Sequence, residues 1–338
     1  MSMSPADPYR EARVPVFERR VTVLGADFLF RADDEALLAL VDAACIGAPP
    51  HRFAGQAPQL TVELRLGEAT GLPTDREPPL PRLQGGAGLL GVLIDRGNLA
   101  LVDPTSGRGL VNLSPEMLAH AYHARYELLE FAIFTLAARS QGLAALHAGC
   151  VGLEGQGLLL IGESGAGKST LALQCLLDGL DFLCEDACFL APESGLLTGI
   201  ANFVHLRRDA LRFFDAATAA KLAAAPTIRR RSGVEKFEFD PRAAPRLGPL
   251  AAAPLKLAGL VFLSAQPAGE APMRRVPADE AGARFTQSQP YAAGQPVWAA
   301  VQPLLQGLAA WELRRSTHPQ ETARCLRALL EAAGDPGS

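Results

Sequence analysis

The apolar positions of this chain change period from one stretch to the next, and the changes mark out its elements. Residues 17–30 read as strand, most strongly over VTVLGADFLF. Residues 33–45 predict a helix, with Leu37, Leu38, Leu40 and Val41 on its apolar side. Residues 59–66 alternate through Leu60, Val62, Leu64 and Leu66, the period of a half-buried strand. The proline-rich residues 71–86 predict a loop. Residues 88–95 and 98–102 predict strands joined at Arg96-Gly97, and a turn over 103–109 leads to another short strand. Ser114-Pro115-Glu116 reads as a helix start: a capping hydroxyl, proline at the first helical position, then an acid. Leu118, Tyr122, Leu129, Ile133 and Leu136 continue at helical spacing to about residue 140, where Gly142 closes the helix. A flexible stretch, 1–15, and an α+β domain over 16–142 are the expectation, with no catalytic motif.

A second domain is expected over 143–334. Residues 144–153 predict a strand carrying His147. Residues 157–161 form an apolar run long enough for one buried strand. Helix formers fill Thr170 to Leu177, and Gly179 suits that helix's end. Residues 182–190 predict one strand carrying Glu185 and Asp186, which a turn at 192–195 folds back onto 196–200. A helix over 209–224, a basic turn over 227–233 and a strand over 234–239 follow. The uninterrupted LAGLVFL at 257–263 has the mark of a central strand. Helices over 297–308 and 320–333 flank a short strand at 311–315.

Between the strand at 157–161 and the helix after it lies the sequence GESGAGKS, a Gly-x-x-x-x-Gly-Lys-Ser phosphate loop. Its glycines let successive N–H groups turn toward one point, and the following helix start adds its own. Gly162, Glu163, Ser164, Gly165, Ala166, Gly167, Lys168, Ser169 and Thr170 are the expected nucleotide-binding residues. Lys168 supplies a mobile positive charge for the outer phosphates, and the Ser169 hydroxyl suits Mg²⁺.

Glu185-Asp186 follows one helix and one strand later, where phosphate-loop proteins carry a metal-holding acid. Neighbours on one strand point to opposite faces, so the two acids divide the work. Glu185 is expected to serve Mg²⁺, directly or through water. Asp186 is expected to accept the proton of an attacking hydroxyl. Arg229, Arg230, Arg231 and Lys236 form the densest positive cluster, and Arg231 is the expected guanidinium for the charge of the moving phosphoryl group. Arg207 and Arg208 either face the nucleotide or lie at the surface. His120, His123 and His205 lack partners at metal-ligand spacing and read as structural. Trp298 and Trp311 read as packing anchors.

Composition narrows the partners. Hydrophobic residues make up 49% of the 338, enough for a sizeable core, and a net charge of −4 gives no pull toward nucleic acid or anionic lipid. No run of about 18 uncharged apolar residues occurs, so no membrane span is expected. The N-terminus is charged throughout, without the apolar core of a signal peptide. The six cysteines form no Cys-x-x-Cys pair and read as free thiols in a reducing cytoplasm.

His147, then GLLLIGESGAGKSTLAL, then FLCEDACFL resembles the catalytic domain of the HPr kinase/phosphorylase family and its HPr-kinase-related relatives. The resemblance covers about residues 143–265. It implies an α/β fold with a P-loop kinase domain of the HPr kinase/phosphoenolpyruvate carboxykinase-like type, here behind the smaller α+β domain. It also implies Asp186 as the catalytic acid-base residue, Glu185 on the metal side and His147 near the phosphates. Two positions depart from the family pattern: Glu185 stands for an aspartate, and Thr170 for a glutamate. The C-terminal motifs that grip HPr have no match, so the acceptor differs. HPr kinases are hexamers, and a homo-oligomer stays open here.

The expected function is an ATP- and Mg²⁺-dependent kinase, cytoplasmic, acting on a hydroxyl: Ser or Thr of a protein or peptide, or alternatively a small-molecule alcohol. A catalytically silent ATP-binding regulator is the alternative from another class.

Overall fold

A computed structural model of the chain describes residues 16–267, 272–315 and 318–334. The stretch 1–15, expected to be flexible, lies outside the described residues. The described chain is a mixed α/β protein with three sheets, and it divides into two compact units. The second unit gathers Gln141 onward together with two short earlier stretches, Val23–Gly25 and Gly47–Gly55.

The first unit is built on a seven-stranded sheet. Its strands are β1 (Phe17–Val23), β2 (Ala26–Ala32), β3 (Gln59–Leu66), β4 (Arg82–Gly86), β5 (Leu89–Leu93), β6 (Leu99–Asp103) and β7 (Arg108–Leu113), in the order β1-β2-β3-β7-β6-β5-β4. The pairs β2–β3 and β3–β7 are parallel. The helix Glu35–Cys45 is capped by Asp34, whose carboxylate accepts from the Ala36 N–H, and it buries Leu37, Leu38 and Val41. Alternation puts Leu60, Val62 and Leu64 of β3 into the core.

Two expectations change here. Residues 82–86 are not loop but the edge strand β4, antiparallel to β5; it is exposed at every position and lacks the apolar alternation that marks half-buried strands. The helix from Ser114 is not continuous. It runs as Pro115–Leu118 and Ala121–His123, widens into a π-helical turn over Ala124–Leu129, and resumes as Glu130–Gln141. The periodicity survives this because Leu128, Leu129, Ile133 and Leu136 still reach the core.

The second unit holds β8 (Ala144–His147), β9 (Gly149–Leu153), β10 (Gln156–Ile161), β11 (Asp181–Cys184), β12 (Ala187–Ala191), β13 (Leu196–Gly199), β14 (Val204–Leu206), β15 (Thr227–Arg229), β16 (Glu235–Phe239), β17 (Leu255–Pro267), β18 (Met273–Arg275) and β19 (Ala309–Arg315). The large sheet runs β11-β9-β10-β17-β13-β12-β8, with β19 beside β17 and β18 beside β19. β10 and β19 both run parallel to β17, which makes β17 the central strand. Helices cover both faces. Leu159 and Ile161 of β10 join Phe285, Trp298 and Val301 on one side; Leu158 and Leu160 join Leu171, Leu176, Leu326 and Leu330 on the other. A strand buried on both faces needs apolar residues at every position, which is why β10 and β17 read as unbroken runs. Each fully buried leucine contributes about 1.5–3 kcal/mol by its removal from water. A small separate sheet, β14-β16-β15, is antiparallel throughout. His51 adds a polar tie within this unit, 2.8 Å from both the Thr198 hydroxyl and the Ala251 carbonyl.

The two expected strands at 144–153 and 182–190 are each broken. Residue 148 separates β8 from β9, and residues 185–186 separate β11 from β12. Each chain changes neighbours at its break: β9 and β11 pair with each other, and so do β8 and β12. A hydrogen bond from the Ala148 N–H to the Asp186 carbonyl, 3.1 Å, joins the two breaks. Gly149 sits directly against this point, where an added Cβ would lie 2.7 Å from the Glu185 carbonyl oxygen. Close backbone approach, not turn-making, is what this glycine permits.

The helical region expected at 209–224 is a 3-10 segment, Arg208–Phe213, followed by the helix Ala216–Ala223 with Asp215 as its cap. The six cysteines carry no disulfide, and five are buried. No described helix is long and apolar enough to cross a membrane.

Candidate phosphate-loop site

The cleft of the second unit has a volume of about 530 Å³ and is lined by Glu163 through Leu171 along one wall. The loop leaves β10 and enters the helix Lys168–Leu177 through Gly167, which has φ of 99°. Gly165 is also left-handed, φ 89°, a conformation that glycine adopts without a Cβ penalty. The first-turn N–H groups of a helix have no intrahelical acceptor, so this wall presents donors to an anion. Gly162 is the one expected loop residue outside the lining; its carbonyl accepts from Lys168 Nζ at 2.6 Å.

Glu185 and Asp186 both face this cleft, but not as alternate positions of one strand. They sit in the bend between β11 and β12, and the bend gives them different surroundings. Glu185 is buried at 6% exposure. Its Oε1 accepts a short hydrogen bond from the Ser169 hydroxyl. Its Oε2 accepts from the His205 main-chain N–H and lies 2.9 Å from His205 Nδ1. His205 Nε2 in turn lies 3.2 Å from Glu238 Oε1. Both ring nitrogens thus point at carboxylate oxygens, and only the imidazolium donates from both. Burial works to raise the Glu185 carboxyl, but the bonds and charge of His205, with the Ser169 hydroxyl, outweigh it and hold the group below its ordinary 4.5. Burial works to lower His205; its bonds to Glu185 and Glu238 prevail and raise it above 6.5.

Asp186 is more open. His147 Nδ1 lies 3.4 Å and Lys168 Nζ 3.9 Å from its Oδ1. His147, at the end of β8, is held by its backbone: Gln289 Oε1 accepts from the His147 N–H at 2.7 Å, and Gln289 Nε2 donates to the His147 carbonyl. Gln289 is itself buried.

Of the basic cluster, Arg230 and Lys236 line the cleft, together with Ser232 and Val234. Arg231, the expected guanidinium, is not among the lining residues. Past β15 the chain turns over 230–233, closed by the Gly233 N–H on the Arg230 carbonyl at 2.7 Å, and 230 rather than 231 lines the cleft. Burial lowers the Lys236 ammonium from 10.5, Arg230 adds to that, and the charges of Glu185 and Asp186 oppose it. Arg207 lines the cleft beside Asp209; Arg208 instead covers the Phe237 ring at 5.1 Å. Trp298 is buried on Phe285, away from the cleft.

His205, Glu238 and Gln289 stand behind the two acids and His147. In sequence no ligand partner of His205 stands at useful spacing, so it reads as structural. Its partners are set by strand pairing: His205 is the direct cross-strand neighbour of Glu238.

The donor set bears on Mg²⁺. Among the described residues no group of three or more His, Cys, Asp or Glu side chains could hold a metal ion. Ser169 and Glu185 offer one hydroxyl and one carboxylate at the phosphate loop. That fits a hard cation that keeps water and takes its remaining ligands from substrate phosphates.

No protein-family profile matches the sequence, and no curated protein matches it. Among solved structures, the chain is similar to the HPr(Ser) kinase/phosphatase from Coxiella burnetii, at 16% identity and a TM-score of 0.28, over 56% of this chain and 99% of that one. A TM-score this low leaves function to the geometry of the site.

Proposed function

We propose that this chain is an ATP-dependent, Mg²⁺-dependent phosphotransferase acting on a hydroxyl, with Ser or Thr of a protein or peptide as the favoured acceptor. The observation that carries the reading is the division of the two neighbouring acids. One is locked against the loop hydroxyl Ser169, and the other stands open beside Lys168 and His147.

The loop amides and Lys168 bind the phosphate chain. Ser169 and Glu185 are the residues that would hold Mg²⁺, whose chemistry is to neutralise charge on the outer phosphate oxygens. Asp186 accepts the proton of the acceptor hydroxyl as its oxygen bonds to the terminal phosphorus; the bond to the bridging oxygen breaks and ADP leaves. His147 orients the Asp186 carboxylate. Arg230 and Lys236 stabilise the charge spread over the moving group, the task expected of Arg231.

Asp186→Asn tests this. With labelled ATP and a lysate of the source cell, transfer to the labelled species should fall by about 10²- to 10⁴-fold, the usual share of a general base. ATP affinity, measured by calorimetry, should hold. Undiminished labelling by the variant would remove the assignment, and no labelling by the wild type would favour a silent nucleotide-binding regulator.

A further inference from the structure

Glu185 would be a poor partner for a cation if it were free to turn. A glutamate has three side-chain torsions, and a carboxylate at a metal is useful only when its oxygens are already aimed. Here two donors from one residue, the His205 main-chain N–H and ring Nδ1, converge on Oε2. Oε1 is left toward Ser169. The far side of the same ring meets Glu238 on β16. Lys236, two residues earlier on that strand, lines the cleft. The contacts therefore run unbroken from the loop hydroxyl through Glu185 and His205 into the strand that carries the cleft's lysine.

We propose that His205 is a positioning residue: it pins one oxygen of Glu185 so that the other, with Ser169, is preset for the nucleotide's divalent cation. The proposal rests on the phosphate-loop reading above. It assigns to His205 no contact with substrate. It also makes the small sheet β14-β16-β15 part of the cation site's support, through the His205–Glu238 cross-strand pair.

The test separates positioning from mere packing. Asparagine places an amide N–H near the position of Nδ1, and glutamine places one near Nε2. His205→Asn should therefore keep the side-chain contact to Glu185, and His205→Gln only the side-chain contact to Glu238, while the main-chain N–H bond to Glu185 stays in every variant. ATP binding is measured by calorimetry, once in a Mg²⁺ titration and once with chelator. In His205→Gln and His205→Ala the Mg²⁺ concentration for half-maximal ATP binding should rise about 10- to 100-fold, the usual cost of losing a partner behind a metal ligand. ATP affinity in chelator should stay at the wild-type value, and His205→Asn should stay near wild type in both.

Equal shifts in the Asn and Gln variants, or equal losses with and without Mg²⁺, would overturn the proposal. Glu238→Gln, which leaves the ring in place, covers the case in which the His205 variants do not fold: a raised Mg²⁺ requirement supports the proposal, and an unchanged one counts against it. A wild-type protein that binds ATP with no response to Mg²⁺ would instead bring down the phosphate-loop reading itself.

Discussion

Glu185 and Asp186 are neighbours in the chain and opposites in the fold. Glu185 is 6% exposed and accepts from the Ser169 hydroxyl and from His205. Asp186, with a side chain 28% exposed, meets His147 Nδ1 and Lys168 Nζ only at 3.4 and 3.9 Å. The difference comes from one bend between β11 and β12. It shows how two like charges in sequence acquire unlike surroundings: one buried and fixed, the other partly exposed. A buried carboxylate tied to three donors cannot serve as a base without unmaking its own support.

That contrast can be broken from either side. The largest effect on stability should come from Glu185→Ala. It takes the carboxylate away from the buried His205, and losing one partner of a buried charged pair costs about 3–5 kcal/mol. Asp186→Asn, by contrast, should shift stability within about 0.5 kcal/mol, as partly exposed positions do, while lowering transfer by about 10²- to 10⁴-fold. Urea midpoints of the two variants check this; equal destabilisation would mean the two acids are not differently held.

A smaller effect is expected from Gln289→Ala. The His147 N–H and carbonyl would each lose a partner, at about 1 kcal/mol for each of these part-buried bonds. Transfer should fall while ATP affinity holds, because His147 reaches Asp186 and not the loop. If transfer is unchanged, the hold on His147 has no bearing on Asp186.

The smallest is a pH effect. Glu185 lies below its ordinary 4.5 in the fold, so its contribution is complete above 4.5 and is lost as pH falls through the lowered value. His205 lies above its ordinary 6.5, so its contribution is complete below 6.5 and is lost as pH rises through the raised value. The stability difference between wild type and His205→Asn should therefore be widest between 4.5 and 6.5 and narrow on both sides. A flat difference across the range would show that the ring carries no charge.

Much of the site was readable because much of it is local. A phosphate loop is one contiguous run of backbone, and GESGAGKS with a buried strand before it and helix formers after it leaves few other conformations. The pair at 185–186 was readable from its spacing to Lys168. Its geometry was not: the apolar residues flanking the acids over 182–190 hide a break that a hydrogen bond joins to a second break, at residue 148, in a different strand. Arg230 and Arg231 are indistinguishable in sequence, and only the turn after β15 selects which lines the cleft. The edge strand β4 was missed because it buries nothing.

The sequence alone determined the buried strands, the phosphate loop and the two acids, since each follows from the period of burial or from chemistry packed into a few consecutive residues. Tertiary structure alone decided that Glu185 is sealed by His205 and Glu238 and that Asp186 is left in the open cleft. Those contacts depend on which strands lie side by side. Strand pairing is a choice among distant partners that hydrophobic period, the same for every buried strand, does not specify.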